Sequence, residues 1–237
     1  MEQNRSASQR LTAQQIQAEQ ASFITKVYGW MAVALLLTGF VAMFTAATPA
    51  MIELIFGNRI VFYGLIIGEL ALVWFLSSKA MEMSANVVTG SFLFYSAVNG
   101  LTLAAIFLIY TAGSIASTFF VTAGTFAATS AYGYFTKTDL TKMGNLLFMA
   151  LIGIIIASVV NFFLQSTMLY WIVTYVGVIV FVGLTAYDTQ KIKEMNIIGN
   201  EGTDEDRKEA ILGALILYLD FINLFLYLLR ILGNRRD

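Results

Sequence analysis

The chain has 237 residues, 58% of them hydrophobic and only 12% charged, with a formal net charge of −1. Soluble domains carry about a quarter charged residues, and the apolar residues here fall in long blocks, so the sequence belongs to an integral membrane protein and excludes a water-soluble domain. The balanced charge gives no basic surface for nucleic acid. The lack of cysteine and histidine excludes a disulfide framework, a thiolate metal site and a thiol nucleophile, and leaves carboxylates to carry any pH response near neutrality.

Residues 1–26 are polar and rich in Gln, Ser and Ala. They lack the apolar stretch of a cleavable signal peptide and read as a tail ahead of an uncleaved first span. A bilayer crossing needs roughly 20 apolar residues. The pattern predicts seven of them, at 27–48, 60–79, 85–110, 114–135, 144–164, 168–188 and 210–232. The expected fold is an all-α integral membrane protein in which residues 27–237 form one seven-transmembrane-helix bundle. Pro49, the only proline, follows the first span, where a helix should stop. Most links are too short for anything but antiparallel neighbours. The exception is 189–209, a charged connection. Its Asp204, Glu205 and Asp206 lack the alternating ligands, central glycine and closing glutamate of a calcium loop, so they read as solvated.

Charge asymmetry sets the orientation. Arg5, Arg10, Lys26, Lys79, Lys137, Lys142, Lys191, Lys193, Arg207 and Lys208 gather on the side of the N-terminus, against Arg59, Arg230, Arg235 and Arg236 on the other. The N-terminus is expected in the cytoplasm and, with seven spans, the C-terminus outside. A six-span arrangement with a re-entrant last segment would return the tail to the cytoplasm.

Two aspartates sit where a carboxylate is expensive: Asp188 in GLTAYDTQKIK and Asp220 in ALILYLDFINLFLYLLR. An acid at hydrocarbon depth costs several kcal/mol, and such residues face a partner or a water-filled path. Asp220, Asn223, Tyr227 and Arg230 are spaced by three, four and three, on one face of the last span. That stripe suits a helix inside the bundle. Interhelical hydrogen bonding also explains Asn223, and interface anchoring explains Tyr227 and Arg230. Asp188 taken alone also reads as an interfacial residue or a partner of Lys191 or Lys193. If it meets Asp220, the two carboxyls cannot both stay ionised cheaply, and they share a proton or hold a cation. Glu69, near the centre of span two behind Gly64 and Gly68, has two readings: a buried neutral acid bonded to a neighbouring helix, or part of an ion path. Ser96, Asn99 and Thr102 in span three, and Ser158 and Asn161 in span five, fit helix packing. The Phe and Met positions form no cofactor box.

The segments TAYDTQKIK, ALILYLDFINLFLYLLR, GELAL and NGLTL together resemble the BAX inhibitor-1 (transmembrane BAX inhibitor motif) family, over about Ser22–Arg236. The likeness is to its bacterial inner-membrane members. It implies seven helices with the last enclosed by the other six, and a pH-sensitive calcium leak whose di-aspartyl sensor falls on Asp188 and Asp220. Glu69 matches the family glutamate of the second span. An arginine after that span latches the pair in a bacterial member; here Ala80 stands at that position, with Lys79 beside it as the candidate latch.

The expected function is therefore passive cation permeation and not enzymatic turnover. Calcium is the permeant ion, and no cofactor is held tightly. Asp188 and Asp220 form the pH sensor and the metal-contacting pair, and Glu69, Asn99 and Asn223 are candidate path residues. The bilayer and calcium are the expected partners. The family also implies an alternative, a regulator acting by contact with a membrane protease, for which the N-terminal tail is the handle. A third alternative is an intramembrane aspartyl protease: Tyr187-Asp188 matches half of its motif, but Tyr218 and Leu219 stand where the other half needs glycine.

Overall fold

The computed structural model describes residues 12–236. Among them the chain is helical apart from its turns and one isolated antiparallel bridge between Tyr110 and Arg235. The helices in order are α1 (Ala13–Ala46), α2 (Pro49–Phe56), α3 (Arg59–Lys79), α4 (Ala85–Ile109), α5 (Ala112–Phe135), α6 (Thr141–Leu164), α7 (Thr167–Met195) and α8 (Asp204–Leu232), with a 3-10 turn at Ala80–Glu82. Their starts follow from side chains that accept the first free backbone N–H groups. Thr12, Asn58, Thr111, Ser166 and Thr203 cap α1, α3, α5, α7 and α8. Pro49 does not merely end a helix. It occupies the first turn of α2, where a missing N–H costs nothing.

Among the described residues six helices are long and apolar enough to cross a membrane: α1, α3, α4, α6, α7 and α8. The expectation was seven. α5 is 24 residues long, but its Ser and Thr side chains at 114, 117, 118, 122, 125, 129 and 130 dilute its apolar character. Its two ends are nonetheless tied to the two ends of the bundle. The N–H of Thr111 donates to the Asn234 carbonyl at 3.0 Å, and Lys193 Nζ donates to the Tyr134 carbonyl at 3.1 Å.

α8 is the centre. Of its apolar stretch 61% is buried, against 6% in α3 and in α6. It packs on α1, α4, α5 and α7, while α3 lies on α4 and α6 on α7. The last helix is thus surrounded mainly by four helices and not by six. α8 is one continuous helix, which removes the re-entrant alternative: the start of α1 and the end of α8 lie at opposite ends of the bundle. At one end, Lys26 meets Asp206 at 2.7 Å. At the other, Arg236 N–H donates to the Ile109 carbonyl at 2.9 Å.

Three sequence boundaries move. The division after residue 26 falls inside α1. Residues 1–11, the rest of the expected tail, lie outside the described residues, while Glu19 and Phe23 are buried and Glu19 accepts from the Gly199 N–H at 2.7 Å. The long connection 189–209 shrinks to 196–203, because α7 runs on to Met195 and α8 starts at Asp204. The acidic run is not a loop, although Asp204 and Glu205 are solvent-exposed as expected. It forms the first turn of α8, where carboxylates complement the helix dipole. Asp206 there is buried and accepts from Lys26 and from the Gly202 N–H.

Candidate functional site

The two aspartates come together between α7 and α8. Asp220 lies near the middle of α8 and is 5% exposed; Asp188 is half-buried on α7. Their carboxyls are within hydrogen-bonding reach of each other. Asp220 Oδ2 is fully buried and no donor reaches it among the described residues. A hydrogen bond between two carboxyls needs one of them to carry a proton.

The surrounding donors are committed elsewhere. Thr185 and Thr189 share the Asp188 face of α7 by their spacing. Thr185 donates to the Phe181 carbonyl at 2.7 Å. Thr189 donates to the Thr185 carbonyl at 2.7 Å and lies 3.2 Å from the Ser130 hydroxyl on α5. Phe126 and Phe119 of α5 close on the Phe221 ring next to Asp220, at 5.5 and 5.4 Å between centroids. The close approach of α5 to α7 beside Asp188 requires Gly133, whose missing Cβ would strike the Ala186 carbonyl.

The cations do not reach the pair. Lys191 lies near Glu194 at 3.8 Å, and Lys193 sits over the Tyr134 ring at 4.7 Å, so neither neutralises Asp188. Lys79, the candidate latch, is exposed and donates to Glu82 at 2.8 and 3.0 Å. Its distance from the pair has a geometric cause. The turn after α3 is level with Lys208, which donates to the Met81 carbonyl at 3.3 Å. From 208 to 220 is twelve residues, about 18 Å along a helix. The buried cation at this turn is therefore Lys208, which the sequence assigned only to a charged connection.

Glu69 and Asn99 join a second cluster on the other side of α8. Asn99 Nδ2 donates to Glu69 Oε2 at 3.1 Å and Thr102 Oγ1 to Glu69 Oε1 at 2.8 Å. The Tyr218 hydroxyl donates to Asn99 Oδ1 at 3.0 Å and lies 2.7 Å from Thr38 Oγ1, which also bonds the Ser96 carbonyl at 2.8 Å. Four helices, α1, α3, α4 and α8, meet in this chain of bonds. Tyr218 is wholly buried, with Phe92 and Tyr95 edge-on to its ring. Residues 218 and 220 point about 200° apart on a helix, so Tyr218 and Asp220 face different neighbours. Tyr218 entered the sequence analysis only as a missing glycine, and Thr38 not at all; a tyrosine two positions before an intramembrane acid was the available signal.

Asn223, expected on the path, bonds the Leu219 carbonyl of its own helix at 2.8 Å. In the same stripe, Tyr227 stacks on Phe181 and Arg230 rests on the rings of Tyr170 and Tyr227. Of the weaker polar positions, Ser158 is exposed on the outer face of α6, and Asn161 accepts from the Ser166 N–H at the α6–α7 turn.

A bundle with six helices long and apolar enough to cross a membrane among its described residues, and an acid hydrogen-bonded between two of them, is a multi-pass membrane protein built around polar interior contacts. The family model described as "Inhibitor of apoptosis-promoting Bax1" matches residues 20–237, and the chain belongs to that family. It is 62% identical to "Inner membrane protein YbhL" of Escherichia coli over 216 residues, covering 91% of this chain and 92% of that protein. It is 48% identical over 222 residues to an uncharacterised protein of Rickettsia prowazekii, covering 91% and 90%. With an uncharacterised protein of Borreliella burgdorferi the identity is 47% over 215 residues, covering 91% and 93%.

Proposed function

We propose that this protein is a pH-sensitive passive leak for cations, calcium among them, gated by Asp188 and Asp220. The supporting observation is a buried carboxylate oxygen with no donor, facing a second carboxyl. With one proton between them, the pair attract, and α7 and α8 stay closed over the gap. With both ionised, two like charges sit at contact distance. They separate the helices, admit water and attract a cation in place of the proton.

Two carboxylates are a weak calcium site. Calcium takes six to eight oxygens, and among the described residues no group of three or more acids comes together. A partial site suits an ion that must leave again. Glu69 and Asn99 supply a second polar station on the α1–α3–α4 side. We assign α5 as a seventh span, the N-terminus to the cytoplasm and the C-terminus to the far side, in an inner membrane like that of the Escherichia coli relative. Single cysteines at positions 4 and 236, in a chain that has none of its own, would report opposite labelling from the two sides.

The deciding experiment is calcium flux into proteoliposomes across a pH series. Flux should rise as pH rises through the titration of the pair. In the Asp188→Asn/Asp220→Asn double variant the pH dependence should vanish. Unchanged flux and unchanged pH dependence in that variant would refute the mechanism. Two aspartates in contact on adjacent helices also suit an intramembrane aspartyl protease. Cleavage of a helical peptide, abolished by Asp220→Ala, would favour that chemistry instead.

A further inference from the structure

The end of the bundle that carries the C-terminus holds a polar feature separate from both acid sites. An open basin of 620 Å³ lies between the α6–α7 turn and the end of α8. Arg230 and Arg235 line it together with Tyr170, Trp171 and Ser166, and no acidic side chain is among its described lining residues. Among the described residues neither arginine forms an ion pair.

Both cations are held in place. The Arg230 guanidinium lies 5.6 Å from the Tyr170 ring centre and 5.1 Å from that of Tyr227. Aromatic faces fix a guanidinium without using its five N–H donors. Arg235 is positioned through its backbone. Its bridge to Tyr110 is flanked by the bonds from Thr111 to Asn234 and from Arg236 to Ile109. Two guanidinium groups are thus presented to one basin with their donors open, a geometry that suits bidentate contacts to phosphate oxygens.

The surroundings distinguish a lipid phosphate from a free one. Phe162, Phe163, Leu164 and Met168 flank the same turn and are 66%, 76%, 66% and 75% exposed. Such a rim is stable only against hydrocarbon. Tyr170 and Trp171 are the residue types that settle at headgroup level. The basin therefore sits where headgroups meet acyl chains, on the end opposite the lysine-rich one, where arginines run against the usual charge asymmetry unless an anion meets them.

We infer that the Arg230–Arg235 basin binds the phosphate of an anionic glycerophospholipid, with its acyl chains against the exposed apolar residues of the α6–α7 turn. The test is native mass spectrometry of the full chain in detergent, titrated with phosphatidylglycerol, with phosphatidylcholine, and with phosphatidylglycerol in the presence of millimolar inorganic phosphate. The wild type should retain one phosphatidylglycerol in preference to phosphatidylcholine, and inorganic phosphate should not displace it. Arg230→Gln/Arg235→Gln should weaken retention roughly tenfold, the scale of losing charge-assisted bonds. Arg235→Gln alone lies in the exposed tail, leaves the helices untouched and should weaken it several-fold; it decides the matter if the double variant misfolds. Equal retention by wild type and Arg235→Gln would overturn the inference. So would displacement by inorganic phosphate, which would make the basin a site for free anions.

Discussion

Two acids lie on different sides of α8, and their surroundings differ in one respect. Glu69 has a donor for each oxygen, from Asn99 and Thr102, and the chain of bonds continues through Tyr218 to Thr38. Asp220 has a second acid where a donor would be, and one buried oxygen without any. A satisfied network rigidifies the helices it joins. An acid pair lacking donors does so only while it holds a proton. One side of α8 is a fastening; on the proposed function, the other is a joint that charge opens.

The comparison is broken most severely by adding a single methyl group on either side. Gly133→Ala pushes α5 off α7 at the Ala186 carbonyl, next to the pair. Gly100→Ala places a Cβ 2.7 Å from the Thr38 carbonyl, at the fastening. Each should cost about 2–3 kcal/mol, seen as a melting temperature in detergent lower by about 5–10 °C for a chain of this size. Only Gly133→Ala should also raise calcium flux at acidic pH.

Raising the pH comes next. Ionising both aspartates places two like charges together. Their repulsion is ~4 kcal/mol at ~4 Å and an effective dielectric of ~20, so about 2 kcal/mol of destabilisation remains after the helices relax. The wild type should therefore melt lower as pH rises through the titration of the pair. Asp188→Asn/Asp220→Asn should show a flat profile over the same range, since an amide brings its own donor and no charge. A wild-type profile as flat as that of the variant would show that the joint does not respond to charge.

Tyr218→Phe sharpens the contrast. It removes the donor to Asn99 Oδ1 while keeping the ring, and should cost about 1–2 kcal/mol. That loss should change less with pH than the one at the aspartate pair, since the hydroxyl removed carries no charge of its own and reaches Glu69 only through Asn99. The smallest effect belongs to Lys79→Ala. Its pair with Glu82 is exposed on both sides, 51% and 67%, and such pairs contribute well under about 1 kcal/mol. Neither the melting temperature nor the flux should move.

Much of this was legible in the chain itself. Asp188 and Asp220 announced themselves because a carboxylate within an apolar run has few inexpensive explanations. The polar stripe of the last span marked α8 as an interior helix for the same reason. Glu69 was visible but not its allegiance. Its bond to Asn99 joins α3 to α4, and the continuation to α8 depends on which way Tyr218 faces. α2 was missed because eight residues around a proline carry too short a pattern. The extension of α7 to Met195 was missed because charged residues at a helix end look like a loop when hydropathy alone is read.

The sequence by itself determined the environment: long apolar stretches have no stable home in water, and acids placed within them must find partners. The partners themselves were settled only by tertiary structure. Hydropathy acts on each segment separately, whereas the approach of Asp220 to Asp188 and the bond from Tyr218 to Asn99 depend on the rotation of α8 against its neighbours. That rotation is set by packing at contacts such as Gly213 on Val27 and Ile192, and Tyr227 on Gly177. A linear pattern shows which residues share a helix face but not what that face meets.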